Sequence, residues 1–264
     1  MRESLNIIRQ VEKLVQRELS GWPLEWSGFN WPGYTYEHTL RVRNLSLCMA
    51  RRLGADERIV ELAALLHDIG KPAGEPHAVP GAERAEPILL ELGIDAATRA
   101  RVLHIIGNHI TCDPAHPLEN LLLYDADLID ANFGYIAFTR YITIRAHRGN
   151  AIADMATEGQ GWLGRVDERR KRVITELGQA IARERYARMQ SFHGQLCAEL
   201  EAKAGPALDI ARYFAADAHR PSLSRQVREM ERAFEIGDPV NGLQPLAFMR
   251  EFVRVLKEEI AGDR

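Results

Sequence analysis

Between residues 34 and 147 apolar side chains recur at helical spacing almost without relief, and the chain itself marks where each helix should stop and the next begin. Gly54 followed by Asp56, and Gly93 followed by Asp95, are the clearest marks. Glycine suits the left-handed residue that closes a helix, and an aspartate just beyond it can accept from the free amides of the next one. Gly70-Lys71-Pro72 closes a further segment. This punctuation predicts helices over 35–53, 57–69, 82–92, 96–110, 118–131 and 133–147. No alternating β-branched run competes with them, so the expected class is all-α.

The flanks extend the same pattern. Leu5, Ile8, Val11 (or Glu12), Val15 and Leu19 form one stripe of an amphipathic N-terminal helix over 2–19. The stretch from Gly21-Trp22-Pro23 to Trp31-Pro32-Gly33-Tyr34 then breaks helices and holds Trp22, Trp26 and Trp31, which reads as an aromatic loop. Beyond Gly164 a charged segment keeps a helical period to about Lys203, consistent with one long helix whose candidate breaks are Gly178 and Gly194. Pro206 interrupts it, and helices are predicted over 207–216, 222–235 and 244–261. The glycine-rich stretch from Gly159 to Gly164 is the best candidate boundary. It divides the chain into an N-terminal helix and loop over 1–33, a helical unit over 34–158, and a C-terminal helical extension over 159–264 that can pack as one domain with it.

Charge and cysteine content narrow the functions. With Lys+Arg 34 against Asp+Glu 37, the net charge of -3 supplies no general field for nucleic acid or an anionic membrane. The basic cluster Arg165, Arg169, Arg170, Lys171, Arg172, Arg183, Arg185 and Arg188 is interleaved with Asp167, Glu168, Glu176 and Glu184, the pattern of a solvated helix, so nucleic acid is not the expected partner. Cys48, Cys112 and Cys197 are odd in number and widely spaced, which argues for reduced thiols rather than a disulfide framework. No apolar run approaches the roughly 18 residues that span a bilayer, and charged residues fill the first turns, so neither a membrane anchor nor a signal peptide is expected and a cytoplasmic setting is. Phosphate-binding glycine loops and a nucleophile elbow are missing as well.

The strongest anomaly is histidine. Six of the nine, His38, His67, His77, His104, His109 and His116, crowd one stretch of the chain. One histidine alone is more often a satisfied structural residue, but six together need another account. The sharpest element is His67-Asp68, at the end of an apolar helix and followed by Ile69-Gly70-Lys71-Pro72. Neighbouring residues in a terminal turn lie about 100° apart, so an imidazole and a carboxylate can approach one ion from a single rigid support. Neutral nitrogen with hard oxygen suits Mn, Fe, Co, Ni or Zn, with Mg also admissible.

These residues resemble the HD-domain superfamily of metal-dependent phosphohydrolases, whose pattern is a histidine, a His-Asp doublet and a distant aspartate on helices. Here the matches are His38 within Tyr36-Glu37-His38-Thr39-Leu40-Arg41-Val42, the doublet within Leu65-Leu66-His67-Asp68-Ile69-Gly70-Lys71, and Asp127 within Tyr124-Asp125-Ala126-Asp127-Leu128. The resemblance covers roughly 34–147 and implies a helical bundle there; the additional C-terminal helices, read from their own periodicity, lie beyond it. It implies a divalent metal held by His38, His67, Asp68 and Asp127. In a subset of the family extra histidines hold a second ion; His77 and His109 resemble these, with Asp68 as the bridging carboxylate.

The implied activity is hydrolysis of a nucleotide or another small phosphate ester by metal-activated water. Asp68 or a nearby carboxylate is the candidate to take the water's proton, and Lys71 the candidate phosphate contact. Arg41, one turn after His38, is the candidate for a bidentate grip, Arg43 less so. On a regular helix His104 lies about 140° from His109 and is expected to be a wall or packing residue, and His116 a loop residue. Asp125 and Asp130 are candidates to orient a ligand histidine, with a helix N-terminal role for Asp125 equally open. Two other readings remain: a di-iron oxygenase on the same fold, and a non-catalytic nucleotide sensor whose C-terminal helices bind a partner or a second copy of the chain.

Overall fold

The computed structural model describes residues 2–219, 221–236 and 247–263. Among them lie twelve α-helices, one 3-10 turn and no strand; the only bridge of β type joins Ser27 to Asn30 within the aromatic loop. Two compact units divide the chain, the first being Met1–Leu128 with Ile174–Gly178 and Gly262–Arg264, the second Ile129–Val173 with Gln179–Ala261.

The first unit is built on α3 (Glu57–Leu66), flanked by α1 (Arg2–Leu19), α2 (Tyr34–Leu53) and α5 (Ala96–Asn108). Seven of the ten residues of α3 are buried, Ile59, Val60, Leu62, Ala63, Ala64, Leu65 and Leu66, which is what makes it the central helix. Val42 and Leu45 of α2 and Val102 and Ile106 of α5 pack into the same core. The predicted marks operate: Gly54 takes φ 72 at the end of α2, Asp56 accepts from the amides of Arg58 and Ile59, and Asp95 accepts from Thr98. Ile8, Val11, Val15 and Leu19 form the buried stripe of α1, while the side chain of Leu5 lies outside the described residues.

Two boundaries move, and both shape the site. α3 stops at Leu66, so His67 is its capping residue and the doublet sits in the turn beyond. α4 runs over Ala78–Glu91, four residues earlier than predicted. Pro80 falls in its first turn, where a missing amide costs nothing, and Gly81 is tolerated because it packs on Gly70. A Cβ on Gly70 would stand 2.3 Å from the His77 carbonyl oxygen and 2.7 Å from the Gly81 nitrogen, so only glycine lets the two segments meet. The short 3-10 turn Lys71–Ala73 carries the chain between them, and α6 (Leu118–Asn132) completes the site.

The second unit contains α7 (Gly134–His147), α8 (Ile152–Arg170), most of α9 (Glu176–Ala202), α10 (Pro206–Ala216), α11 (Leu223–Ile236) and α12 (Ala247–Ala261). Phe138, Phe192, Phe214 and Phe252 are fully buried in its core. The expected boundary at 159–164 falls inside α8, and the division into compact units comes instead after Leu128. Gly159 is required for packing: a Cβ there would lie 2.4 Å from the His193 ring. The one long helix predicted beyond Gly164 is two, α8 and α9, with the break at 171–175; Gly178 and Gly194 lie within α9. The predicted first residues of the last helix, 244–246, are outside the described residues. No described helix is long and apolar enough to cross a membrane.

Candidate metal centre

The end of α3 presents the doublet in a buried turn. His67 donates from Nδ1 to the Ala64 carbonyl oxygen at 2.8 Å, which fixes the tautomer and leaves Nε2 with a lone pair. That Nε2 is buried and has no hydrogen-bond partner. A buried polar atom without a partner is uncommon enough in folded proteins to call for an explanation, and a bound cation supplies one.

The atoms around it are donors of the right kind. Asp68 holds Oδ1 at 3.4 Å from His67 Nε2 and 3.1 Å from His77 Nε2, with Oδ2 at 3.8 Å from His38 Nε2. His38, on the first turns of α2, reaches Asp127 of α6 at 2.9 Å. His77 caps the start of α4 and His109 the end of α5; their Nε2 atoms are 3.1 Å apart. The His109 Nδ1 donates to the Ile106 carbonyl at 2.7 Å, and the His77 Nδ1 donates to the Glu75 carboxylate at 2.7 Å. Three overlapping groups have donor atoms within 4.8 Å of one another: His38, His67 and Asp68; His67, His109 and Asp127; Asp68, His77 and His109. Imidazole nitrogens mixed with carboxylate oxygens fit a divalent transition metal.

The electrostatics favour ligand protonation states. Burial lowers His67 to about 4 and also lowers His109, so both rings stay neutral at physiological pH. Burial would raise Asp68, but His67, Lys71 and His77 together outweigh it and hold the carboxyl well below its usual range. Burial likewise opposes ionisation of Asp127, and the hydrogen bond and charge of His38 overcome it. His77 is the exception: burial lowers it, yet its bonds to Asp68 and Glu75 raise it overall.

The six candidate ligands, His38, His67, Asp68, Asp127, His77 and His109, are therefore brought together, and the other candidates divide. Lys71 turns inward, with Nζ 2.6 Å from Asp68 Oδ2 and a side chain only 16% exposed, so it is not a solvated helix-end lysine. Arg41 is buried, its guanidinium 5.8 Å from the Tyr34 ring centroid, whereas Arg43 turns to Glu12 at 2.9 Å. Asp125 orients no histidine. Its carboxylate accepts from the Ile174 and Thr175 amides, each at 2.8 Å, and from the Thr175 hydroxyl, so it caps the start of α9. Asp130 is buried further along α6. His104 is exposed and packs edge-on against His116, away from the donor groups. Within the basic cluster, Arg170 pairs with Asp167, Lys171 with Glu168 and Arg188 with Glu184, the helical pairing expected from the spacing.

Three contributions were missed by sequence reasoning. Tyr34 stacks on His38 with planes 7° apart and is itself held edge-on by Trp31, so the aromatic loop buttresses a candidate ligand. Glu75 holds His77, and Gly70 admits α4. A signal existed for Glu75, two residues before a candidate ligand, but nothing distinguished it from a loop carboxylate.

Residues 35–132 match the HD domain family. Ribonuclease Y of Chloroflexus aurantiacus is 38% identical over 97 residues, a match that takes in 35% of this chain and 18% of that one. The chain thus spans under a fifth of the length of the curated relatives it matches first. Among solved structures, an HD-superfamily hydrolase from Bacillus thuringiensis superposes with a TM-score of 0.59 at 23% identity, covering 75% of this chain and 99% of that one. YpgQ of Bacillus subtilis in complex with ADP gives 0.55 at 24% identity, covering 75% and 96%. These two likenesses show the helical fold, and within this chain residues 35–132 carry an HD domain.

Proposed function

We propose that the protein hydrolyses a small phosphate ester, a nucleotide among the first candidates, at a centre where His38, His67, Asp68 and Asp127 hold one divalent ion. His77 and His109 hold a second, with Asp68 shared. The observation that carries this reading is the bare, buried Nε2 of His67 facing a ring of nitrogen and oxygen donors. When bound, the metal supplies an activated water and polarises a phosphoryl oxygen.

The chain's own residues do the rest. Asp127 and Lys71, with side chains 27% and 16% exposed, are the least covered of this group and mark the side from which substrate enters. Lys71 offers a point charge to a phosphate oxygen while Asp68 keeps its ammonium in place, and Arg41 adds a second cation from α2. Asp68 or a nearby carboxylate takes the proton lost by the attacking water. The ADP in the related Bacillus subtilis structure supports a nucleotide. The curated relatives are named as ribonucleases, but the intrahelical pairing of the basic cluster here supports a small substrate over RNA. The odd number and wide spacing of Cys48, Cys112 and Cys197 support a reducing, cytoplasmic setting.

The test is a panel of nucleoside mono-, di- and triphosphates, sugar phosphates and a short RNA, assayed with Mn, Mg, Co, Ni, Fe and Zn. Phosphate release dependent on metal and lost in both His67→Ala and Asp68→Ala is expected. Full activity in either folded variant, or no turnover of any phosphate ester under any metal, ends the proposal.

A further inference from the structure

The histidines of this centre are not held alike. His67 and His109 each bond through Nδ1 to a backbone carbonyl three residues earlier, Ala64 and Ile106, in the closing turn of a helix. Those carbonyls are part of the fold and cannot be removed by mutation. His77 stands at the beginning of α4, where no helical turn precedes it, and its Nδ1 depends on the carboxylate of Glu75 at 2.7 Å. The Glu75 side chain is 71% exposed. The far nitrogen of His77 meanwhile faces Asp68 Oδ1 and His109 Nε2, both at 3.1 Å.

We infer that Glu75 is a positioning residue for the second metal ion: by accepting from His77 Nδ1 it fixes the ring with Nε2 turned toward Asp68 and His109. This rests on the two-ion reading above. A carboxylate behind a ligand imidazole fixes its tautomer and strengthens it as a donor. Without it the Nδ1 side of the His77 ring loses its acceptor, and only the contacts of Nε2 hold the ring's orientation. The first ion, held by His38, His67, Asp68 and Asp127, includes no ligand that touches Glu75. One exposed carboxylate therefore decides whether the centre works with one ion or two.

The experiment is a Mn titration of the metal-free protein, wild type, Glu75→Ala and Glu75→Gln, followed by calorimetry and by electron paramagnetic resonance. Wild type is expected to take up two ions and show the signal of an exchange-coupled pair. Glu75→Ala should bind the first ion within about twofold of wild type and the second about 10- to 100-fold more weakly. Its spectrum should be that of isolated Mn at concentrations where wild type shows the pair. Glu75→Gln, whose amide oxygen still accepts from Nδ1, should recover most of the loss. A single ion in wild type ends the two-ion reading and this inference with it. Two ions in wild type with an unchanged second affinity in Glu75→Ala, equal weakening of both ions, or no recovery in Glu75→Gln, overturns the role of Glu75 alone.

Discussion

His77 Nε2 lies 3.1 Å from His109 Nε2, although each ring already spends its Nδ1 proton on another acceptor. Two neutral rings so placed would point lone pairs at one another. A cation between them removes the conflict, and in metal-free protein a proton on His77 does so, in keeping with its raised proton affinity.

Metal binding at this pair should therefore displace a proton. Asp68 and Glu75 raise the His77 pKa, so loading of the second ion releases a proton on the acid side of neutrality, and its affinity weakens as pH falls through that pKa. Calorimetry in buffers of different ionisation enthalpy measures the release. Buffer-independent heats at pH 6 would contradict it.

His67 behaves in the opposite sense. Its folded pKa of about 4 lies below the unfolded value of 6.5, so as pH falls between them the unfolded chain gains a proton that the folded one refuses. Metal-free protein should lose about 3 kcal/mol of stability from this group between pH 6.5 and 4 and little more below. A ring titration by NMR separates His67 from His77, whose raised affinity works the other way; a His67 midpoint near 6.5 would refute the assignment.

Gly70→Ala places a methyl group against the His77 carbonyl and the Gly81 backbone, neither of which can give way without moving α4. A destabilisation of about 1–3 kcal/mol is expected from the overpacking. Because His77 rides on α4, the second ion should weaken more than the first. Denaturant unfolding and a metal titration on the same preparation read both; wild-type values in each would show that the close approach does not matter.

Asp125→Ala separates the two aspartates of α6. Asp125 holds the Ile174 and Thr175 amides and touches none of the metal donors, so its loss should cost about 1–3 kcal/mol in stability. Metal stoichiometry and affinity should be those of wild type. A variant of normal stability that loses metal would restore the orienting role that spacing alone left open.

Much of the fold was legible because helix ends are chemical events local to a few residues. Gly54, Asp56 and Asp95 do in the structure what their residue types require, and the buried stripe of α3 follows from its unbroken apolar run. The errors fall where packing overrides local preference. Gly159 reads as a linker and is a contact with His193; the helix predicted from residue 82 begins at Ala78, with Pro80 and Gly81 in its first turn, because Gly70 accepts them.

The chain order alone set the donor chemistry: imidazoles and carboxylates at 38, 67, 68, 77, 109 and 127 are properties of residue type, and their family pattern is a property of spacing. Tertiary structure decided which of them converge, that Lys71 turns in while His104 turns out, that Asp125 serves a helix end, that Glu75 pairs with His77 and that Tyr34 stacks on His38. The physical reason is range. Capping and periodicity act within a turn or two of one helix, whereas ring orientation, burial and proton affinity at this centre are set by atoms from α2, α3, α4, α5 and α6 that meet only after the chain has packed.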